Sequence, residues 1–345
     1  MRIWLFLVGL VVLAGGVVAL NLRSFNHFSS IEPAPLASCL PVTGIPGPED
    51  IRVDQRRQQA FISSLDRRAE DARGAIHVFD LSDPLASNGF RDRTMGVPEA
   101  FRPLGIDYYE DGETRRLFVV NDAGPSVEVY DVLENGDLEH LDTFSERRLN
   151  SPNSVAATSA RSFYVTNDVR PGRKARIASL HFLMRTGSGD VYFVDGAIWK
   201  HVAEGLRFAN GIALGPDGES VYVAETSGKA VQVFRRDPAS GSLTPANTIN
   251  LKSSPDNVSV DSSGKVWVGA LPKPLRLPAL AKSPSATAPS EVLVIGEDGE
   301  PVTVYRNEGD ELSASTVAAP ADGKLLIGTV YDEKFLLCDL PKTAG

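Results

Sequence analysis

FANGIALGPDGESVYVAETSGKAVQVFRR, residues 208–236, carries the pattern that decides the fold. An apolar stretch, FANGIAL (208–214), meets the tight-turn sequence PDGES (216–220), where Asp and Gly suit the backbone angles of a turn. ESVYVAET (219–226) and KAVQVFRR (229–236) follow, rich in β-branched and aromatic residues that alternate with polar ones, as in half-buried strands. The pair recurs six times along the chain. Its first member reads QQAFISS (58–64), RRLFVVN (115–121), RSFYVTND (161–168), ESVYVAET, GKVWVGA (264–270) and GKLLIGTV (323–330). Its second member reads GAIHVFDL (74–81), PSVEVYDV (125–132), DVYFVDG (190–196), KAVQVFRR, EVLVIGE (291–297) and EKFLLCDL (333–340). Units of about 50 residues match a four-stranded propeller blade. The expected fold is therefore all-β, a six-bladed β-propeller. The absence of αβ alternation argues against a nucleotide-binding α/β fold, and a β-sandwich does not account for regular pairing six times over.

The chain has 345 residues, 42% of them hydrophobic and 23% charged, an ordinary globular balance. A net charge of -9 speaks against a nucleic-acid partner, which requires a concentrated basic surface. After Met1-Arg2 comes IWLFLVGLVVLAGGVVAL, an uncharged run ending at Leu20 and followed by Arg23. It is long enough to span a bilayer, so residues 1–23 read as a signal anchor holding the protein to the membrane through residues 3–20. A removed signal peptide is the other reading, with Val17 and Ala19 as small residues ahead of the cut. Either directs the body to the secretory pathway or periplasm. Residues 24–38 read as a linker and 39–345 as the propeller. Two cysteines occur, Cys39 and Cys338, one near each end of the folded region; behind an export signal they read as a disulfide joining those ends. Residues 169–189 combine basic residues with an apolar run and read as a helix above the propeller, with a solvated charged face favoured over contact with anionic membrane. Residues 271–290, rich in Pro, Ala and Ser, read as a long surface loop bordering the tunnel mouth.

One position of the repeat, just before an apolar stretch, holds Glu49, Leu104, Asn153, Asn210, the pair Asp256-Asn257, and Ser315. In a propeller these lie at the entrance of the innermost strands and converge from separate blades. One Glu, one Asp and three amides form an oxygen-rich set of the kind Ca²⁺ takes, without the His and Cys that transition metals favour. Asn and Asp are also common strand-entry turn residues, and spacing alone leaves both readings open.

Glu49-Asp50, Asn153, Phe208-Ala209-Asn210-Gly211 and Asp256-Asn257, with FYVTND, PDGESVYVAE, VDSSGKVWVG and KLLIGTV, resemble the calcium-binding motifs and strands of the paraoxonase/arylesterase family. The resemblance runs in order and spacing from Cys39 to Leu340, and the two cysteines fall where that family's disulfide joins the chain ends. It implies a calcium-dependent hydrolase of lactones or aryl esters, related to the regucalcin/gluconolactonase propellers. It also implies that Glu49, Asn153, Asn210, Asp256 and Asn257 hold the catalytic calcium, and that Asp50 and the carbonyl of Ile106 belong to a second, structural calcium.

The departures are as specific. The family's well-known lactonases use a pair of histidines near the calcium; this chain has Leu104 and Asp122 there, and Leu271 where a further histidine is expected at the tunnel mouth. Ser154, a poorer and neutral ligand, stands where an aspartate ligand of the second calcium is expected. His27, His77, His140, His181 and His201 all lie off the recurring position, with His77 and His140 expected in or near outer-strand turns. Asp256 is then the first candidate for general base and Asp122 the second. No Gly-x-Ser-x-Gly elbow supports a serine-hydrolase mechanism. Loss of the dyad also leaves open a non-catalytic, membrane-tethered calcium-binding propeller, or a strictosidine-synthase-like condensing enzyme.

Overall fold

The computed structural model describes residues 12, 15–84 and 90–340. Among them, six antiparallel sheets follow one another around a ring. Their innermost strands are Pro48–Asp54, Pro103–Asp111, Pro152–Ala157, Ala209–Leu214, Ser254–Val260 and Ser315–Ala321, which number blades 1 to 6. The twelve segments read from the sequence form the second and third strands of these blades, as in Ser220–Glu225 and Ala230–Arg236 of blade 4. The turn ahead of Ser220–Glu225 is held by Asp217, whose Oδ1 accepts from the amides of Glu219 and Ser220, while Gly218 takes φ 68°. Blade 2 gains a fifth strand, Thr94–Met95, parallel to Leu138–Phe144.

Blade 6 closes the ring. Its outermost strand is Cys39–Thr43, from the other end of the chain, paired antiparallel with Lys334–Asp339. Cys39 faces Cys338 in that register and is bonded to it, joining positions 299 apart. The core lies between the sheets: Ile51, Ile62 and Phe79 of blade 1 pack with Val317, Leu326 and Phe335 of blade 6. Buried residues of blades 2 and 3, such as Phe118 and Phe163, pack in the same way.

Most of the proposed membrane segment, residues 3–20, lies outside the described residues. Among those described, no helix is long and apolar enough to cross a membrane. Residues 15–24 are helical, and the stretch from Phe25 to Ala34 packs on the ring. Phe25 is fully buried and stacks on Phe182, which meets Phe208 edge-on. Asn26 donates to the carbonyl of Lys252, and Ala34 bridges Arg306. The segment 169–189 contains the helix Ala178–Leu183. Residues 271–290 are not the continuous loop read from their composition: they form a 3₁₀ turn, Pro274–Arg276, and a helix, Leu277–Lys282. Proline is compatible with a helix when it stands in the first turn, as Pro278 does here. This helix buries Leu280 beside Leu271 and Ala314 at the end of the ring where the innermost strands begin.

The covalent closure has a measurable consequence. Chain-entropy arguments give about 6 kcal/mol as the ceiling for a loop of this length. Cys39→Ser is expected to lower the denaturant midpoint clearly, and non-reduced peptide mapping is expected to recover the Cys39–Cys338 link. Two free thiols in exported protein would contradict it.

Candidate metal centre in the central tunnel

All six innermost strands slip register against their second strands near their start. The irregularities fall between Pro48 and Asp50, Pro103 and Ile106, Pro152 and Val155, Ala209 and Ile212, Pro255 and Val258, and Ser315 and Val317. In the first five blades the interval brackets a recurring residue: Glu49, Leu104, Asn153, Asn210, and Asp256 with Asn257. Bulges of this kind re-aim side chains that regular pairing would commit to the sheet faces. In blade 6 the bracketed residue is Thr316 and not Ser315; Ser315 turns its hydroxyl to the carbonyls of Ala270 and Glu291. Close approach of neighbouring blades sets the glycines here. A Cβ on Gly105 would stand 2.5 Å from the Cα of Ser154, and one on Gly211 2.5 Å from the Cα of Asn257.

Four of the bulged side chains meet in pairs. Asn210 Nδ2 donates to Asp256 Oδ1 at 2.7 Å, and Asn257 Nδ2 to Glu49 Oε1 at 3.1 Å. Glu49 is on blade 1 and Asn257 on blade 5, which are not neighbours in the ring, so this contact crosses the tunnel. Thr316 of the intervening blade donates to the Glu49 carbonyl at 2.7 Å. All five residues named for the first calcium are buried. Each asparagine spends its NH₂: Asn153 on Asp168, Asn210 on Thr226 and Asp256, Asn257 on Glu49. Their Oδ1 atoms and Glu49 Oε2 are buried with no hydrogen-bond donor. Buried acceptors without donors are rare and costly, and four at one site fit the oxygen shell of a hard cation. Among the described residues no group of three His, Cys, Asp or Glu is placed to hold a metal; this set relies on amides for most of its oxygens.

The electrostatics agree. Burial pushes the Glu49 carboxyl above its ordinary range despite the opposing pull of Arg67 and Asn257. Asp256 is pushed well above its ordinary range by burial, then by the charge of Glu49. Two desolvated carboxylates beside each other are stabilised in their charged forms by a cation.

The second expected ion meets a different arrangement. Asp50 Oδ1 accepts from Arg52 Nη1 at 2.6 Å and from the amide of Ile51. Its Oδ2 accepts from the amide of Ile106 at 2.8 Å. Asp50 is thus already neutralised by Arg52 and met by two amides, an arrangement that does not fit a second metal beside it.

At the dyad positions, Leu104 packs with the apolar core of blades 2 and 3. Asp122 accepts from Arg173 Nη1 at 2.7 Å, and the same guanidinium holds Asp168. Asp168 and Thr226 are site residues that the sequence reading does not single out. Each directly follows a second strand and accepts from the asparagine amide of its own blade's bulge. Asp122 occupies the same place in blade 2, where Leu104 offers no amide to bind. In blades 2 to 4 the residue after the second strand carries that signal; in blades 1, 5 and 6 it is Leu65, Pro272 and Val330. The histidines lie elsewhere. His77 and His140 stand within strands rather than in turns, His140 at a register irregularity of its strand. His140 meets Glu128, His201 lies near Asp190, and His181 meets Thr186. His27 lies beside the N-terminal helix, edge-on to Phe28.

The chain matches the Arylesterase family over residues 60–340. It is 34% identical to serum paraoxonase/arylesterase 1 of Mus musculus over 354 residues, covering 95% of this chain and 98% of that protein. It is 33% identical to serum paraoxonase/lactonase 3 of Oryctolagus cuniculus, covering 92% and 93%. The chain belongs to the paraoxonase/arylesterase family. Among solved structures, a gluconolactonase from Xanthomonas campestris superposes with TM-score 0.60 at 17% identity, covering 90% of this chain and 95% of that one. Regucalcin from Agrobacterium tumefaciens gives 0.58 at 16%, covering 89% and 94%. These two share the fold with this family member.

Ligand linkage makes the site testable: calcium at a hundredfold its Kd adds about 2.7 kcal/mol to stability. Calcium is expected to raise the melting temperature, EDTA to reverse it, and Asn210→Ala or Asp256→Ala to abolish the response. An equal response in wild type and both variants would place the ion elsewhere. Asn257 heads the chain's only glycosylation sequon, Asn257-Val258-Ser259, yet is fully buried; expression in eukaryotic cells is expected to leave it without a glycan, as intact-mass measurement would show.

Proposed function

We propose that this protein is a calcium-dependent hydrolase of lactones or aryl esters, working without a histidine dyad and exported through the secretory pathway or periplasm. The observation that carries the reading is the set of four buried oxygens without donors, on Glu49, Asn153, Asn210 and Asn257, beside the carboxyl of Asp256. These five residues would hold the ion. Bound calcium supplies Lewis-acid polarisation of a substrate carbonyl and stabilises developing oxyanion charge. Relatives are named for arylester and lactone substrates, which supports the substrate class.

The protein's own residues supply the proton chemistry. Asp256 Oδ1 is engaged by Asn210, which leaves Oδ2 as the carboxylate oxygen to take a proton from water. Asp122 is the weaker candidate, because Arg173 already engages its Oδ1. Its place is to orient Arg173, which donates through Nη2 to the Pro152 carbonyl beside Asn153. Leu104 can neither give nor take a proton. The Cys39–Cys338 bridge supports an oxidising compartment. Ile177, Leu180, Met184 and Phe28 expose apolar surface close to the helical residues 15–24, which supports a membrane-side placement of this face.

The Leu104 position favours a second reading, a non-catalytic calcium-binding propeller, and one experiment separates the two. Initial rates on a panel of lactones and aryl esters are measured in calcium and in EDTA. The wild type is expected to turn over at least one class only with calcium. Asp256→Asn is expected to lose about 10²–10⁴-fold in kcat while its amide still ligates, and Asp122→Asn far less. A larger loss in Asp122→Asn would move the base there. No turnover by calcium-loaded wild type would leave the binding propeller.

A further inference from the structure

Deep in the tunnel, one step along the strands from the candidate metal centre, lies a cation that belongs to the chain itself. Arg52 is buried on the innermost strand of blade 1, only 8% exposed. Its Nη1 donates to Asp50 Oδ1 at 2.6 Å and to the Ile51 carbonyl at 3.0 Å. Its Nε donates to Asp107 Oδ1 of blade 2 at 3.3 Å, and its Nη2 to the Val258 carbonyl of blade 5 at 3.3 Å. Asp107 continues the connection through Oδ2, which accepts from the amide of Ala157 in blade 3 at 2.8 Å. Asp50 continues it through Oδ2 to the amide of Ile106 in blade 2.

Two carboxylates and two carbonyls surround this one group, an oxygen cradle for a cation. Here the acceptors are met by a planar guanidinium, whose fixed fork of donors suits acceptors spread over several strands better than a point charge would. The group also lines the floor of a cavity of about 980 Å³ that opens at the far end of the tunnel, between Gln55, Tyr108, Asp261 and Asp322. Arg52 and Asp107 both line that cavity.

We propose that the Arg52 guanidinium takes the place of a second, structural metal ion, so that this chain carries an internal cation where an exchangeable one is expected. Asp50 keeps its role as the acidic anchor, and Asp107 adds a second carboxylate. The guanidinium clamps blades 1, 2 and 5 permanently, at any calcium concentration. The proposal shares the tunnel with the proposed catalytic ion but stands without it, since it rests only on the Arg52 contacts.

Calcium retained after equilibration and desalting is counted by elemental analysis in wild type, Arg52→Gln and Arg52→Lys. Wild type is expected to hold no more than one ion per chain. Arg52→Gln removes the charge and offers an amide oxygen to the same cradle, and is expected to hold one ion more than wild type. Arg52→Lys keeps a positive charge there and is expected to match wild type. Two ions in wild type, a second ion in Arg52→Lys, or an unchanged count in folded Arg52→Gln would each overturn the proposal. If Arg52→Gln does not fold, the other two counts still decide. A wild-type count of zero would defeat the catalytic-calcium reading while leaving Arg52 in its role.

Discussion

Four buried oxygen atoms without hydrogen-bond donors are the constraint on which the rest of this tunnel depends. Each such acceptor costs about 1–3 kcal/mol if nothing meets it, and Glu49, Asn153, Asn210 and Asn257 each contribute one. Their amide hydrogens are spent on Asp168, Thr226, Asp256 and Glu49, which turns the oxygens away from those partners. The arrangement is built six times over by the same device. A slipped register at the start of each innermost strand frees one or two side chains from the sheet, and the ring gathers them. A cation is the economical way to satisfy oxygens brought together in this manner.

Such gathering demands that the blades hold their angular positions. Strand Cys39–Thr43 completes blade 6, and the Cys39–Cys338 bond fixes that completion covalently. Inside the tunnel, contacts between Glu49 and Asn257 and between Arg52 and Val258 tie blades that do not adjoin. Gly105 and Gly211 let neighbouring innermost strands approach to distances that any side chain would prevent. The polar residues therefore serve two ends together: they present oxygens to an ion, and they brace the ring that aligns those oxygens.

Much of this is legible in the chain because the paired strand segments recur in every blade, several with two-residue alternation. The pairs exemplified by ESVYVAET and KAVQVFRR fall on second and third strands throughout, and the recurring position falls within the bulges of five blades, polar in four and Leu104 in the other. Harder to read is where the bulge itself lies, since a one-residue slip leaves no compositional mark; the repeat points to Ser315, whereas Thr316 stands in the gap. Arg52 is hidden for a related reason. In IRV, a charged residue between apolar neighbours reads as the solvent side of a half-buried strand, but the innermost strand of a propeller has no solvent side there. Asp168 and Thr226 follow strands and look like ordinary turn residues until the amides they accept from are located. The helix at Leu277–Lys282 is masked by a proline that stands in its first turn instead of interrupting it.

Family membership and the apolar Leu104 pull in opposite directions, and the tunnel offers a way to reconcile them. Leu104 closes one route for proton transfer, while Arg173 draws Asp122 and Asp168 into a fixed ion-paired cluster beside Asn153. Asp256 remains as the buried acidic group bonded to Asn210 beside the oxygens without donors. The most direct test is an anomalous difference map from crystals grown in calcium. The account predicts a peak about 2.3–2.6 Å from the side-chain oxygens of Glu49, Asn153, Asn210, Asp256 and Asn257, with the Arg52 guanidinium in density beside Asp50. A tunnel without a peak, its asparagine amides turned so that every oxygen meets a donor, would contradict it.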